Sequence, residues 1–503
     1  MNRQRTQWVL AGGINGQGPL IVPRSAQQPA PGAEQTATGV ADNRKISWFD
    51  TIFAYFGLIV YCEAIGMPFR IIRDAGQPVP GESDPVVATC QTIILGILTC
   101  IFINRWRRLL PLLQFIRPYL LIIALCLVSA LWSDFPLLTV RRTATLGISV
   151  MFGVYLYQTF GLARLCRMFE GLAIVLGVLS VIIFFVMPSI GRDSTIDDYD
   201  AVRGVFAQKN MLGECSLFGF CCSAYRFTEQ RRVAPFLLST LLLFGCIELS
   251  HSASALLIAL IVLGFVVISA LRGKPVIRTI YVYVFVSAIM VLVATMIFSP
   301  DVVFDAMGRD ASLTGRVPLW QVVVTIIAEK PILGHAFGGF YNADSVDLQY
   351  LWLQFPWQPP GSHSGYLDMM VDLGIVGLLL YLWLFSSTIF LGLKALYSGT
   401  LPLARWVLFF MLINVLMNID EDTSMIASMF TALMPSAMLE VGIWSARRKA
   451  ASRRPQWAIK HPDGEADQSA LPERLVASSR FLEPGQGYPI AGTNQGSRAD
   501  NRL

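Results

Sequence analysis

His363 sits in the run SHSGYLDMMVDLG, directly before a long apolar block. An imidazole changes protonation near neutral pH, so a histidine there can take the proton of an attacking hydroxyl as a general base. A structural role is the alternative for a lone histidine. The other histidines fit the chemistry less well: His251 lies in a tight helix turn, His335 beside a loop glycine and His461 in the C-terminal tail. Several cations stand in short, distinctive sequences. Arg141 and Arg142 follow WSDFPLLTV, Arg203 and Lys209 lie in RGVFAQKN, and Arg316 lies in SLTGRVPLW. Fixed Arg and Lys groups in a partly dehydrated site stabilise negative charge that develops on a leaving anion. Lipid headgroups or acidic loops are the alternative partners for each. Glu421, in NIDED, could orient an acceptor, pair with a catalytic arginine, or cap a helix end.

These residues need a scaffold, and the composition says which kind. Of 503 residues, 54% are hydrophobic and 15% charged, against about 25% charged in an average soluble chain; mean hydropathy is +0.55. The apolar residues come in blocks close to the roughly 20 residues that cross a bilayer as a helix. Twelve such blocks lie near 48–66, 87–104, 119–133, 144–160, 171–188, 211–225, 234–250, 253–271, 280–298, 373–396, 403–418 and 424–444. The expected fold is therefore all-α: a polytopic membrane helix bundle of about 12 spans. The flanks, 1–46 and 447–503, are rich in Gly, Gln, Ala, Pro and Arg and read as disordered tails around a membrane domain at 47–446. The first lacks the apolar core of a signal peptide. The nine cysteines fall almost entirely inside apolar blocks, without metal or disulfide spacing, and read as small packing residues.

Charge placement sets the orientation. With the N-terminus inside, each short inward loop carries at least two basic residues: Arg105, Arg107, Arg108 and Arg117; Arg164 and Arg167; Arg226, Arg231 and Arg232; Arg272, Lys274 and Arg278. That is the positive-inside pattern, and an even number of spans returns the C-terminus to the cytoplasm. Arg142, Arg203, Lys209 and Arg316 are then exceptions on the outward side.

The outward segment 299–372 is the long connection between spans, and long ordered loops usually carry function. Within it, LTGRVPLWQVVVTIIAEKPILG predicts a short surface helix, with Pro318 at its start, Trp320, Val323 and Ile327 on one face, and Pro331 after its end. Arg316 is expected just before that helix, beside any anion at its N-terminus. Tyr350, Trp352, Phe355 and Trp357 follow, a set suited either to stacking on sugars or to an interfacial belt. In a second outward loop, DSTIDDYD (193–200) contains Asp198 and Asp200 in the DxD pattern that holds metal in nucleotide-sugar enzymes. Acidic outward loops are common enough that no metal is assigned.

Taken in order, LWSDFPLLTVRRT (131–143), RGVFAQKNMLG (203–213), ELSHSASALL (248–257), LTGRVPLWQ (313–321), KPILGHAFGGF (330–340), HSGYLDMMVDLGIVG (363–377) and NIDED (418–422) resemble the O-antigen ligase and Wzy-type polysaccharide polymerase superfamily. Within it they are most similar to the exopolysaccharide polymerases of the succinoglycan type. The resemblance covers roughly 120–445. It implies a GT-C-like glycosyltransferase of the bacterial inner membrane, with no cofactor. Its donor would be an oligosaccharide on undecaprenyl diphosphate, used on the periplasmic side. Arg203, Lys209 and Arg316, with Arg142 as an addition, would hold the diphosphate, and His363 would act at the acceptor, with inversion at the anomeric carbon. Chain-length regulator and export proteins would be partners, and nucleic acid would not.

Two other functions share much of this pattern. A ligase passing finished glycan to lipid A core or to a protein would carry the same motifs. A flippase for lipid-linked oligosaccharide would instead place ionisable groups deep within its spans and show related halves. The spans are largely uncharged and the notable charges gather at their outward ends, which favours an enzyme.

Overall fold

The computed structural model describes residues 8–11, 20–23, 46–64, 85–193, 200–271, scattered positions from 276 to 287, and 316–452 apart from 356–357, 400, 402, 423–424 and 426. It divides into a main unit, 46–452, and a second unit made of 1–45 and 453–503.

The main unit is helical. Its helices are α1 (Trp48–Tyr61), α2 (Pro85–Leu109), α3 (Arg117–Val128), α4 (Pro136–Val186), α5 (Lys209–Gln230), α6 (Val233–Leu249), α7 (Ala253–Ala270), α8 (Arg316–Glu329), α9 (Val346–Gln354), α10 (Gly365–Ser398), α11 (Ala404–Asp420) and α12 (Met429–Ser452). Helix stands at each expected span except 280–298, most of which lies outside the described residues. The run Pro85–Leu131, α4 and α10 are each long and apolar enough to cross a membrane, and α1, α6, α7 and α11 contain shorter apolar helices. Two expected spans, 144–160 and 171–188, are the halves of α4, divided at Gly161, whose φ of +66° is open to glycine and costly to a side chain. The all-α expectation holds over the described residues of the main unit. In the second unit, read as disordered tails, β1 (Trp8–Ala11) and β2 (Leu20–Pro23) form an antiparallel ribbon with Trp8 facing Pro23. Of the remaining tail residues, 46 and 447–452 are described, the latter as the end of α12, and the others lie outside the described residues.

Packing follows the rules of a bilayer rather than of a soluble core. Small residues let helices approach closely: a Cβ on Gly153 of α4 would overlap the Ala432 carbonyl of α12, and one on Gly219 of α5 would press on Ala173 of α4. Between such contacts Phe218 of α5 joins four neighbours, with ring centroids 4.5 Å from Phe169, 5.1 Å from Phe410, 5.9 Å from Trp406 and 6.1 Å from Phe430. Large apolar side chains meanwhile point outward along the helices, among them Ile182, Phe185, Leu238, Leu241 and Phe390. Such a surface is unstable in water and stable against hydrocarbon. Cysteines behave as expected, being free and, apart from Cys100, buried.

The long connection does contain short helices, α8 and α9. Arg316 is the first described residue of α8, and the buried stripe is Leu319, Val323 and Ile327. Trp320 sits beside that stripe and donates its indole N–H to the Ser362 carbonyl at 2.9 Å. The loop after α8 is then fastened to a break in α10 at Gly374, φ +62°. His335 N–H bonds the Val371 carbonyl at 2.7 Å and Ile375 N–H bonds the Pro331 carbonyl at 2.9 Å, so backbone groups released by the break find partners. A Cβ at Gly374 would run into the Ile332 carbonyl. Gly374→Ala is therefore expected to destabilise the protein on the order of 1–3 kcal/mol, seen as a lower melting temperature in detergent.

Candidate active site

Glu421 ends α11, leaving the helix in extended conformation with its N–H still bonded to the Met417 carbonyl at 2.8 Å. Three side chains from three distant segments meet its carboxylate. Arg316 of α8 donates Nη2–H to Oε1 at 2.7 Å, and Asn210, in the first turn of α5, donates Nδ2–H to the same oxygen at 2.8 Å. His363 Nδ1 lies 3.4 Å from Oε2. Arg316 and Glu421 are each 15% exposed. Burial alone would push the Glu421 carboxyl up, but the bond and charge of His363 and the Arg316 guanidinium outweigh it and hold the group down at about 2. It is an anion at any physiological pH.

The segment GSHSG places His363 with little freedom. Ser364 N–H bonds Ser362 Oγ at 3.1 Å, and Ser362 N–H bonds Asp368 Oδ1 at 2.9 Å. Gly365 N–H bonds the Glu421 carbonyl at 3.3 Å, and a Cβ there would overlap the Asn418 side chain. His363 itself adopts φ +53°, a conformation side chains rarely take outside functional or constrained sites. Asn418 is fixed in turn by Tyr381, whose hydroxyl donates to Oδ1 at 2.7 Å.

His363 and Glu421 open onto a cleft of about 260 Å³. Its walls include Glu63, just past α1, together with Asn210 and Glu214 of α5, Asp368 of α10, and Asp422. Burial lifts the Glu63 carboxyl to about 7. Among the described residues no group of three or more His, Cys, Asp or Glu side chains could hold a metal ion. Of the DxD pair, Asp198 lies outside the described residues and Asp200 is exposed, 3.9 Å from Arg192.

The remaining cations take other positions. Lys209 opens α5 next to the cleft-lining Gln208 and Asn210, and its backbone N–H bonds Asp193 Oδ2 at 3.0 Å. Arg203 is 5% exposed, is not among the cleft's lining residues, and gives its Nε–H to the Ile190 carbonyl at 3.0 Å. Arg142 reaches across nearly 200 residues of sequence to donate to the carbonyls of Gly338 at 2.8 Å and Tyr341 at 2.9 Å. It clamps the loop behind α8. Arg142→Lys keeps the charge and loses the planar fork, so it is expected to destabilise the protein by about 1.5–3 kcal/mol without changing affinity for undecaprenyl diphosphate in a binding titration. Trp357 lies outside the described residues, while Trp352 donates its indole N–H to the Pro359 carbonyl at 3.0 Å.

Sequence comparison meets this geometry at two of its corners. Residues 238–382, which contain Arg316 and His363, match the family model described as O-antigen ligase. The resemblance to the O-antigen ligase and Wzy-type polymerase superfamily holds. Over 299 residues, 56% of this chain, the sequence is 26% identical to exopolysaccharide production protein ExoQ of Rhizobium meliloti (strain 1021). That alignment covers 66% of ExoQ, just under two thirds of its length. The O-antigen ligase match stops short of Asn210 and Glu421, which join its two residues only through the fold.

Proposed function

We propose that this chain is an inner-membrane glycosyltransferase that joins undecaprenyl-diphosphate-linked oligosaccharide units into exopolysaccharide on the periplasmic side. The observation that carries this reading is the meeting of His363, Arg316 and Asn210 on one buried carboxylate, Glu421, at a cleft. The superfamily resemblance supplies the substrate class, and the name of the relative favours exopolysaccharide as the product.

In this mechanism Glu421 accepts from His363 Nδ1–H, which makes Nε2 the basic nitrogen. Nε2 takes the proton of the acceptor sugar's hydroxyl as that oxygen bonds to the anomeric carbon. The bond between the anomeric carbon and the diphosphate oxygen breaks, and the diphosphate leaves with the electron pair. Arg316, held in place by Glu421, meets the developing charge, and Lys209, adjacent in sequence to the cleft-lining Gln208 and Asn210, is proposed as the second cation. Arg203 and Arg142 bond main-chain carbonyls, of Ile190 before α5 and of Gly338 and Tyr341 after α8, and take structural roles. With Glu421 ionised throughout, attraction to the imidazolium stabilises the protonated histidine formed during transfer.

The test is purified protein in nanodiscs supplied with lipid-linked oligosaccharide extracted from a strain lacking this gene. Glycan ladders longer than one repeat are expected from the wild type. Absence of any longer glycan would refute polymerisation, and single transfer to an added lipid A core would point to a ligase instead.

A further inference from the structure

Among the cleft-lining carboxylates that the proposed reaction leaves unused, one stands on a strained backbone. Glu63 follows the last turn of α1, where its N–H bonds the Val60 carbonyl at 3.0 Å and Ala64 N–H bonds the Ile59 carbonyl at 3.3 Å. This pair of bonds is the Schellman ending of a helix, whose left-handed position is usually glycine because any Cβ there is strained. The protein has glutamate there instead, at φ +57°. Other non-glycine residues with positive φ among those described are Arg231, His251, Ala336, Gln358 and His363. Of the whole set, Glu63 and His363 are the two that line the cleft. Backbone strain is therefore retained at two titratable side chains that share one cavity, the pattern expected where the side chain's position matters more than the comfort of the backbone. Among the described residues no hydrogen bond or ion pair engages the Glu63 carboxylate.

The chemistry of the neighbours decides what such a group serves. A carboxylate repels a diphosphate, and Glu214 and Asp422 line the same cleft. Sugar hydroxyls, by contrast, are donors, and the two oxygens of a carboxylate can accept from two adjacent hydroxyls. We propose that Glu63 is an acceptor-binding residue, whose carboxylate accepts hydrogen bonds from the hydroxyls of the incoming sugar and so holds the attacking hydroxyl at His363. This rests on the reading of the cleft as the glycosyl-transfer site.

The test varies unlabelled lipid-linked oligosaccharide as acceptor against a fixed, fluorescently labelled donor, using the full chain in nanodiscs. Glu63→Gln and Glu63→Gly are compared with wild type, and binding of undecaprenyl diphosphate is titrated separately. Both variants are expected to raise the KM for acceptor by about 10- to 100-fold, the range of a lost charge-assisted hydrogen bond, with undecaprenyl diphosphate affinity unchanged. Glu63→Gly also restores the residue that a Schellman ending favours, so its melting temperature is expected to equal or exceed that of wild type. Wild-type acceptor KM in both variants would overturn the proposal, as would Glu63→Gly melting lower while losing donor and acceptor binding alike. Failure of wild type to transfer at all would instead reject the function on which the proposal rests.

Discussion

Replacing His363 by alanine is expected to slow glycan transfer by about a hundredfold to ten-thousandfold, the usual contribution of a positioned general base, while the protein still folds and binds lipid-linked oligosaccharide. The imidazole has no large apolar area to lose, and its neighbours are fixed by other bonds: Ser362 by Asp368, and Gly365 by the Glu421 carbonyl. The variant should therefore stay folded, with a melting temperature lowered only by the lost contact to Glu421, and KM should change far less than kcat. The φ of +53° at His363 adds a second expectation. His363→Gly relieves that strain and should be as inactive as alanine but more stable, as a thermal melt of the two variants side by side would reveal.

The second large effect is expected at Glu421, and it should appear in stability as well as in rate. Glu421→Ala leaves Arg316 partly buried without its counter-ion and removes the group that orients His363. The drop of the carboxyl from its ordinary 4.5 to about 2 corresponds to roughly 3 kcal/mol of favourable interaction in the folded state. That is the order of loss seen when one partner of a buried ion pair is removed. The sign follows from the lowered value: this contribution is complete above about pH 4.5 and disappears as pH falls through about 2. Wild type and Glu421→Ala should accordingly differ most in melting temperature between pH 5 and 8, and converge in strong acid. Transfer should fall at least a hundredfold, since the histidine loses its tautomer and the arginine its anchor.

Much of the scaffold was legible in the sequence because bilayer crossing demands long apolar blocks, and helix stands at those blocks. The breaks at Gly161 and Gly374 were less visible, since a glycine in a membrane helix serves close packing as often as reversal. The candidate site divides in a similar way. His363, Arg316 and Glu421 could be singled out because each is ionisable and flanks an apolar block, and the fold brings those three together. Asn210 carries no such signal, because a neutral amide breaks no charge rule even beside the outward cation Lys209. Arg142 stands out as a cation on the outward side, but its partners are main-chain carbonyls that no side-chain motif announces. Glu63 had a usable signal. It falls near the end of the apolar block 48–66, where a carboxylate is costly enough to demand a purpose; the helix in fact ends at Tyr61 and delivers Glu63 to the cleft.

The central claim is that Glu421 works through His363 to move a glycan off a lipid diphosphate. It is tested most directly by the rate of undecaprenyl diphosphate release from lipid-linked oligosaccharide in wild type, His363→Ala, Glu421→Gln and the double variant. Wild type should release one undecaprenyl diphosphate for each glycosidic bond formed. The double variant should be no slower than His363→Ala alone, because orienting an absent histidine contributes nothing. Release that is undetectable in wild type, or two losses that simply multiply in the double variant, would contradict it.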